Sequence, residues 1–218
     1  MAAQKYKHMN ITKQQIDSFI EELQTKTKAN GVNFIVGEES TVKYFKSDLR
    51  VSGYFIDYGT PTLAIATGKE VNSWFMILLH ESSHMDQWIE KSPYWTNSFI
   101  DGKEAVDYID EWLNGKDFDD EFLNSVFEKA IMVELDCERR TIQKAKDYGF
   151  EIDFEDEIKK ANSYILFYRF IQEFKKWYGV DKAPYQIKEV WQEMPSTFDI
   201  DYSKLSDDLK DLYNKYCV

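Results

Sequence analysis

Cysteine, proline and histidine are scarce in this chain of 218 residues, and basic residues are outnumbered by acidic ones. Two cysteines, Cys137 and Cys217, do not make a disulfide framework, so a packed core has to supply the stability. Four prolines and nine glycines leave long stretches in which nothing interrupts regular structure. Lys and Arg number 27 against 39 Asp and Glu, giving a net charge of −12 and a pI near 4.8. Such a field repels phosphate backbones, and Arg139-Arg140 and Lys175-Lys176 are too isolated to offset it, so no nucleic-acid partner is expected. The longest purely apolar run, Trp74-Phe75-Met76-Ile77-Leu78-Leu79, is far too short to span a bilayer. Met1 to Asn10 is polar and shows no charged-then-apolar leader. The expectation is a soluble, cytoplasmic protein without a membrane partner. Composition leaves its oligomeric state open.

What is present suits a folded domain. Apolar residues make up 43% and aromatics 16%, with neither repeats nor low-complexity segments. Thr12 and Gln15 have capping-box spacing before an apolar stripe of Ile16, Phe19, Ile20 and Leu23, which predicts a helix from about Lys13 to Lys28. Strands are expected at Val32 to Val36 and, more weakly, at Thr41 to Phe45. A hairpin should join Val51–Tyr58 to Thr62–Thr67 about Gly59-Thr60-Pro61. A helix follows from Lys69 to about Glu90, with Thr67 and Glu70 at capping-box spacing. Ser92 to Lys116 reads as irregular around a short helix near Glu104 to Leu113. Asp119 caps a long helix reaching Tyr148, and another runs from Phe154 to Tyr178. The tail holds helical pieces around Ile187–Glu193 and Tyr202–Tyr216. The fold class is α+β, a small sheet followed by mostly helix, in a single domain over 1–218 with parts at about 1–90 and 117–218.

His80-Glu81-Ser82-Ser83-His84 is an HExxH pattern lying where a helix is expected. Residues four apart share a helical face, so two imidazoles can hold one Zn²⁺ while Glu81 stands beside its open position. There Glu81 can take a proton from water that the ion has acidified, as a general base. With three histidines in the chain, chance produces this pattern on the order of a few times in a thousand sequences of such composition. The expected site face is Ile77, His80, Glu81, His84 and Trp88, with Phe75, Leu78, Leu79, Ser82 and Ile89 buried on the other side. His8, in the polar N-terminal segment, reads as a solvated residue.

A third protein ligand is required, and no useful histidine remains. The best region is Glu134-Leu-Asp-Cys-Glu-Arg-Arg140. Glu134 and Glu138 share the core-facing side with Phe127, Ala130, Ile131, Cys137 and Thr141, whereas Asp136 falls on the solvent side. Acids on an apolar stripe are costly to bury unless something positive meets them, and a metal would do so. By analogy with known zinc sites Glu134 is the preferred ligand, with Glu138 hydrogen-bonding the outer nitrogen of a ligand histidine. Glu138 or Cys137 as ligand, and ion pairing of both acids with Arg169 or lysines, stay open.

His80-Glu81-x-x-His84 followed on a later helix by Glu134-x-x-x-Glu138 resembles the zincin metallopeptidases of gluzincin type. With Met85-Asp-Gln-Trp88 it also looks like small zincin-like proteins of phages and bacteria. The resemblance covers roughly Val32 to Tyr148, and only the five-residue motif is specific. It implies a small mixed sheet packed on a central motif helix, a mainly helical C-terminal half, zinc as cofactor and a peptide or protein substrate. It also makes Leu63–Thr67 the sheet edge that receives an extended peptide. The spacing from His84 to Glu134 is longer than in the best-known gluzincins, Glu138 stands where many members have Asp, and no third histidine or methionine turn follows, which excludes a metzincin. The expected function is a zinc-dependent hydrolase, a peptidase by this resemblance; the alternative is a zincin-fold module that binds metal or partners without cleaving. Tyr164 and Tyr168 are the phenols to test as oxyanion donors, although core packing is the stronger reading for both. Asp117-Phe-Asp-Asp-Glu121 lacks calcium-loop spacing and reads as a helix N-terminus.

Overall fold

A computed structural model of the chain describes residues 11–218 apart from Lys46. The expectations for His8 and for Met1 to Asn10 lie outside the described residues. The architecture is α+β, with short strands preceding a mainly helical remainder. The described chain gathers into two compact units. One takes residues up to Ser92 together with Arg140–Asp153, the other Pro93–Arg139 together with Phe154–Val218. No helix among the described residues is long and apolar enough to cross a membrane.

The first unit opens with helix α1, Lys13–Ala29, started by the expected capping box: Thr12 Oγ1 accepts from Gln15 N–H at 3.2 Å and Gln15 Oε1 from Thr12 N–H at 3.0 Å. Ile16, Phe19 and Leu23 are its buried stripe, and Gly31 ends it at φ +68°. Strands β1 (Asn33–Gly37), β2 (Val42–Lys43), β3 (Arg50–Val51), β4 (Gly53–Ile56) and β5 (Thr62–Ala66) follow. β2 and β3 form a small antiparallel ribbon. The main sheet has the order β1-β5-β4, with β1 parallel and β4 antiparallel to β5.

This order corrects one expectation. β5, Thr62–Ala66, is the central strand and is buried throughout, so it cannot be the edge that receives a peptide. The edges are β1 and β4. Ala66 N–H donates to Ser52 O at 2.9 Å, and the register pairs Tyr54 with Ala64 and Ile56 with Thr62. Antiparallel alternation then turns the backbone polar groups of Gly53 and Phe55 away from β5, toward the outer side of β4.

Helix α2, Val71–Ile89, carries the motif. It does not begin with the expected Thr67–Glu70 box: Glu70 is the N-cap without a side-chain bond, and Thr67 Oγ1 donates to Gly37 O at 3.0 Å. The hydroxyl ties the link before α2 to the end of β1 instead. Two glycines let backbones meet here. A Cβ on Gly53 would lie 2.8 Å from the Ile77 side chain on α2, and one on Gly68 would lie 2.5–2.7 Å from backbone atoms of Glu38, Glu39 and Ser40. Backbone cannot swing aside as a side chain can, so Gly68→Ala is expected to destabilise the protein by about 1–3 kcal/mol. Urea unfolding followed by circular dichroism measures this, and wild-type stability would show that the contact is dispensable.

Helix α5, Asp120–Asp147, is continuous, and its residues from Arg140 onward belong to the first unit. Gly149 follows at φ +66°. Phe150 then joins Phe19 and Phe75 in a cluster with ring centroids 5.0–6.0 Å apart, closing the core beneath α2.

The second unit is mostly helix. It begins with α3 (Pro93–Ser98), the small ribbon β6 (Phe99–Ile100) and β7 (Lys103–Glu104), and α4 (Ala105–Leu113). Asp119 Oδ1 accepts from Phe122 N–H at 2.8 Å, the expected cap of α5. α6 spans Phe154–Phe174 and stops short of the expected Tyr178, because Lys175 turns to φ +52°. A 3₁₀ turn at Pro184–Gln186, α7 (Lys188–Trp191) and α8 (Asp207–Tyr216) complete the unit. α8 starts after Ser206, which caps it, rather than at Tyr202. Tyr202 is used elsewhere, donating its hydroxyl to Asn162 Oδ1 at 2.5 Å, while Asn162 Nδ2 donates to the carbonyls of Pro195 and Thr197. A buried amide thus pins the tail onto α6. Around it Ile109, Phe127, Ile165, Phe170, Val190 and Tyr213 form the core.

Candidate metal centre

In the first unit the motif residues share one face of α2. Ile77, His80, Glu81, His84 and Trp88 are each half-buried, whereas Phe75, Leu78, Leu79 and Ser82 are fully buried behind them. Ile89, expected to be buried, is half-buried. The two imidazoles lie edge to face with ring centroids 4.7 Å apart. A ring nitrogen of each lies within 4.8 Å of the other. Glu81 Oε2 accepts from the outward-turned Phe55 N–H at 3.0 Å, so β4 anchors the carboxylate beside the histidines. Trp88 packs on Phe55 at 5.8 Å between centroids and flanks the same face.

His84 has a partner that the sequence reading passed over. Its Nδ1 lies 2.8 Å from Gln87 Oε1. Gln87 is three residues on, on the neighbouring turn, and wholly buried. The spacing was a usable signal, because a polar amide at i+3 from a histidine on an otherwise apolar helix needs a partner.

The two serines inside the motif are also part of the architecture. Both are fully buried and donate to Leu79 O, at 2.9 Å from Ser82 and 2.8 Å from Ser83. Ser83 Oγ accepts from Thr141 Oγ1 at 3.2 Å and Ser82 Oγ from Lys144 Nζ at 2.7 Å, both on the last turns of α5. Lys144 also pairs with Asp86 at 3.0 Å, and Asp86 with Lys26 of α1 at 2.8 Å. A cavity of about 30 Å³ opens among Phe19, Glu22, Lys26, Asp86, Lys144 and Tyr148. Burial, then Glu22 and Asp86, raises the Tyr148 pKa. The back of the motif helix is therefore held by charge and hydrogen bonds as well as apolar contact.

In the second unit Glu134, Cys137 and Glu138 lie on α5. Cys137 is fully buried, in line with Phe127, Ala130 and Ile131, and the two acids are half-buried. Asp136, expected at the solvent side, is half-buried as well. One oxygen of Glu134, Oε2, is sealed from solvent. Burial holds the phenols of Tyr164 and Tyr168 well above their usual range, and the nearby charge of Glu134 adds to the shift in both. Their hydroxyls are 3.2 Å apart. Tyr168 is 2% exposed within the core, in keeping with packing as its main role. Burial raises the Glu157 carboxyl, Lys160 opposes this at 2.6 Å, and the charge of Glu138 adds to the rise. The ion pair considered between these acids and Arg169 does not form. The Arg169 guanidinium is taken by Glu128, by Tyr202 O at 2.8 Å and by Gln172 Oε1 at 2.9 Å.

No protein-family model matches the chain, and neither a curated protein nor a solved structure matches it.

Proposed function

We propose that this protein is a zinc-dependent hydrolase of peptide bonds with a zincin-like arrangement. The observation that carries the reading is the α2 face, where two imidazoles lie edge to face beside a carboxylate anchored by a strand amide. Two neutral imidazoles and a carboxylate are a donor set suited to zinc with one position left open. His80 and His84 are the imidazole ligands, Glu134 is the third ligand, and Glu138 supports the ligand set from α5. When bound, zinc acidifies water and polarises a carbonyl. Glu81 would serve as the base that accepts a proton from water and as the acid that returns it to the leaving amine. Its bond to Phe55 N–H leaves the carboxylate one well-defined orientation for both transfers. An extended peptide substrate would pair with the outer side of β4 at the backbone of Gly53, since the Phe55 N–H is already given to Glu81.

Elemental analysis of purified wild type beside Glu134→Ala, Cys137→Ala and Glu138→Ala tests the site. One zinc per chain is expected in wild type and in Cys137→Ala, none in Glu134→Ala, and a reduced content in Glu138→Ala. Cobalt replacing zinc should give no thiolate charge-transfer band, since the third donor is oxygen. Wild type that stays metal-free after zinc is supplied would overturn the proposal.

A further inference from the structure

We infer that Gln87 is a positioning residue: its buried side-chain amide fixes the tautomer of His84 and thereby presents Nε2 as the nitrogen that binds metal. The amide oxygen can only accept a hydrogen bond, so at 2.8 Å from Gln87 Oε1 the His84 Nδ1 must be the protonated nitrogen. The lone pair of the neutral ring then sits on Nε2. A free imidazole in water leans the other way, with its proton on the outer nitrogen, so the protein has to impose this form.

Burial gives Gln87 the means to do so. The side chain is 0% exposed and lies one turn beyond His84 on the same rigid helix, so water does not compete for its oxygen. Any rotation of His84 would give up this buried hydrogen bond, which favours the ring orientation seen. A partner on the ring nitrogen that does not bind metal is often a carboxylate or a backbone carbonyl; here a neutral amide supplied by the motif helix itself has that role. Glu138, expected to orient a ligand histidine, then has no need to serve His84. The tautomer stands on the geometry alone, while its consequence for metal rests on the zinc reading above.

The test has two parts. In metal-free protein labelled with ¹⁵N, long-range correlation of ring protons and nitrogens reads the tautomer directly, and a chain with three histidines gives few signals to assign. Wild-type His84 is expected in the Nδ1–H form. Gln87→Met, of similar volume and without an acceptor, should move it toward Nε2–H, and Gln87→Glu should keep it. Zinc affinity, measured by competition with a chelating indicator, should fall about 10–100-fold in Gln87→Met and stay near wild type in Gln87→Glu. An Nε2–H tautomer in wild type, or unchanged zinc affinity in folded Gln87→Met, would overturn the inference. The wild-type tautomer needs no variant, so a Gln87→Met that fails to fold leaves that part of the test intact. Failure of wild type to bind zinc with the Nδ1–H form present would remove the function proposed above and leave the tautomer assignment standing.

Discussion

Glu81→Gln is expected to lower kcat for peptide hydrolysis on the order of 10²–10⁴-fold while zinc content and melting temperature stay at wild-type values. The size follows from what a positioned general base contributes. The retention of fold follows from the contact to β4. Glutamine keeps a side-chain oxygen that can accept from Phe55 N–H, so only the proton-accepting carboxylate is lost. Glu81→Ala removes that acceptor too and should cost stability as well, since the strand amide loses its partner. Assay of both variants on a peptide library at saturating zinc separates chemistry from structure. Retained turnover in metal-replete Glu81→Gln would defeat the mechanism. A wild type that holds zinc, cleaves nothing and captures the same protein partner as Glu81→Gln would point to a binding module.

The second large effect lies behind the motif. Asp86→Ala should destabilise the protein by about 3–5 kcal/mol, because it leaves cations facing each other where one anion stood. The Lys144 side dominates: Lys144 and Asp86 are only 13% and 14% exposed, whereas Lys26 is 40% exposed and its half of the interaction is screened. For a chain of this size that is a fall in melting temperature of about 6–20 °C. Replacing both charges, as Asp86→Leu with Lys144→Met, should recover much of the loss, since neither then leaves the other uncompensated. Thermal melts of Asp86→Leu, Lys144→Met and the double variant complete the cycle beside Asp86→Ala. An Asp86→Ala protein within 1 kcal/mol of wild type would show that water reaches the pair and screens it.

The parts of the fold that could be read ahead were those decided locally. α1 has its box and its stripe within a few residues, and α5 has a cap at Asp119 and a glycine at Gly149. The motif face of α2 was legible for the same reason, as helical spacing alone sorts Ile77, His80, Glu81 and His84 from Phe75 and Leu79. What failed was decided by distant partners. Thr67 had the right spacing for a cap, yet Gly37 O, across the sheet, competed for its hydroxyl. Strand order was missed although a signal existed: Thr62-Leu-Ala-Ile-Ala does not alternate, which is the pattern of a strand covered on both faces and not of an edge. Gln87 carries no charge and lies outside the five-residue motif, so its pairing with His84 is marked only by the i+3 spacing on α2. No local pattern could have announced Lys144 or Thr141 as partners of the motif serines.

The separation of those partners along the chain has a consequence for synthesis. Ser83 waits 58 residues for Thr141, and Ser82 waits 62 for Lys144. A nascent chain that has emerged only as far as Ser92 holds the motif, but the segment that completes its unit, Arg140–Asp153, is still unmade. Translation must pass through Pro93–Arg139 before the buried hydroxyls and Asp86 of α2 find their last partners, so this helix matures late by topology. On the function proposed, a chain stopped at Ser92 would carry the catalytic glutamate and its Phe55 anchor without Glu134 or the α5 partners of Ser82, Ser83 and Asp86. On that reading hydrolysis would begin only in chains made at least as far as Asp153.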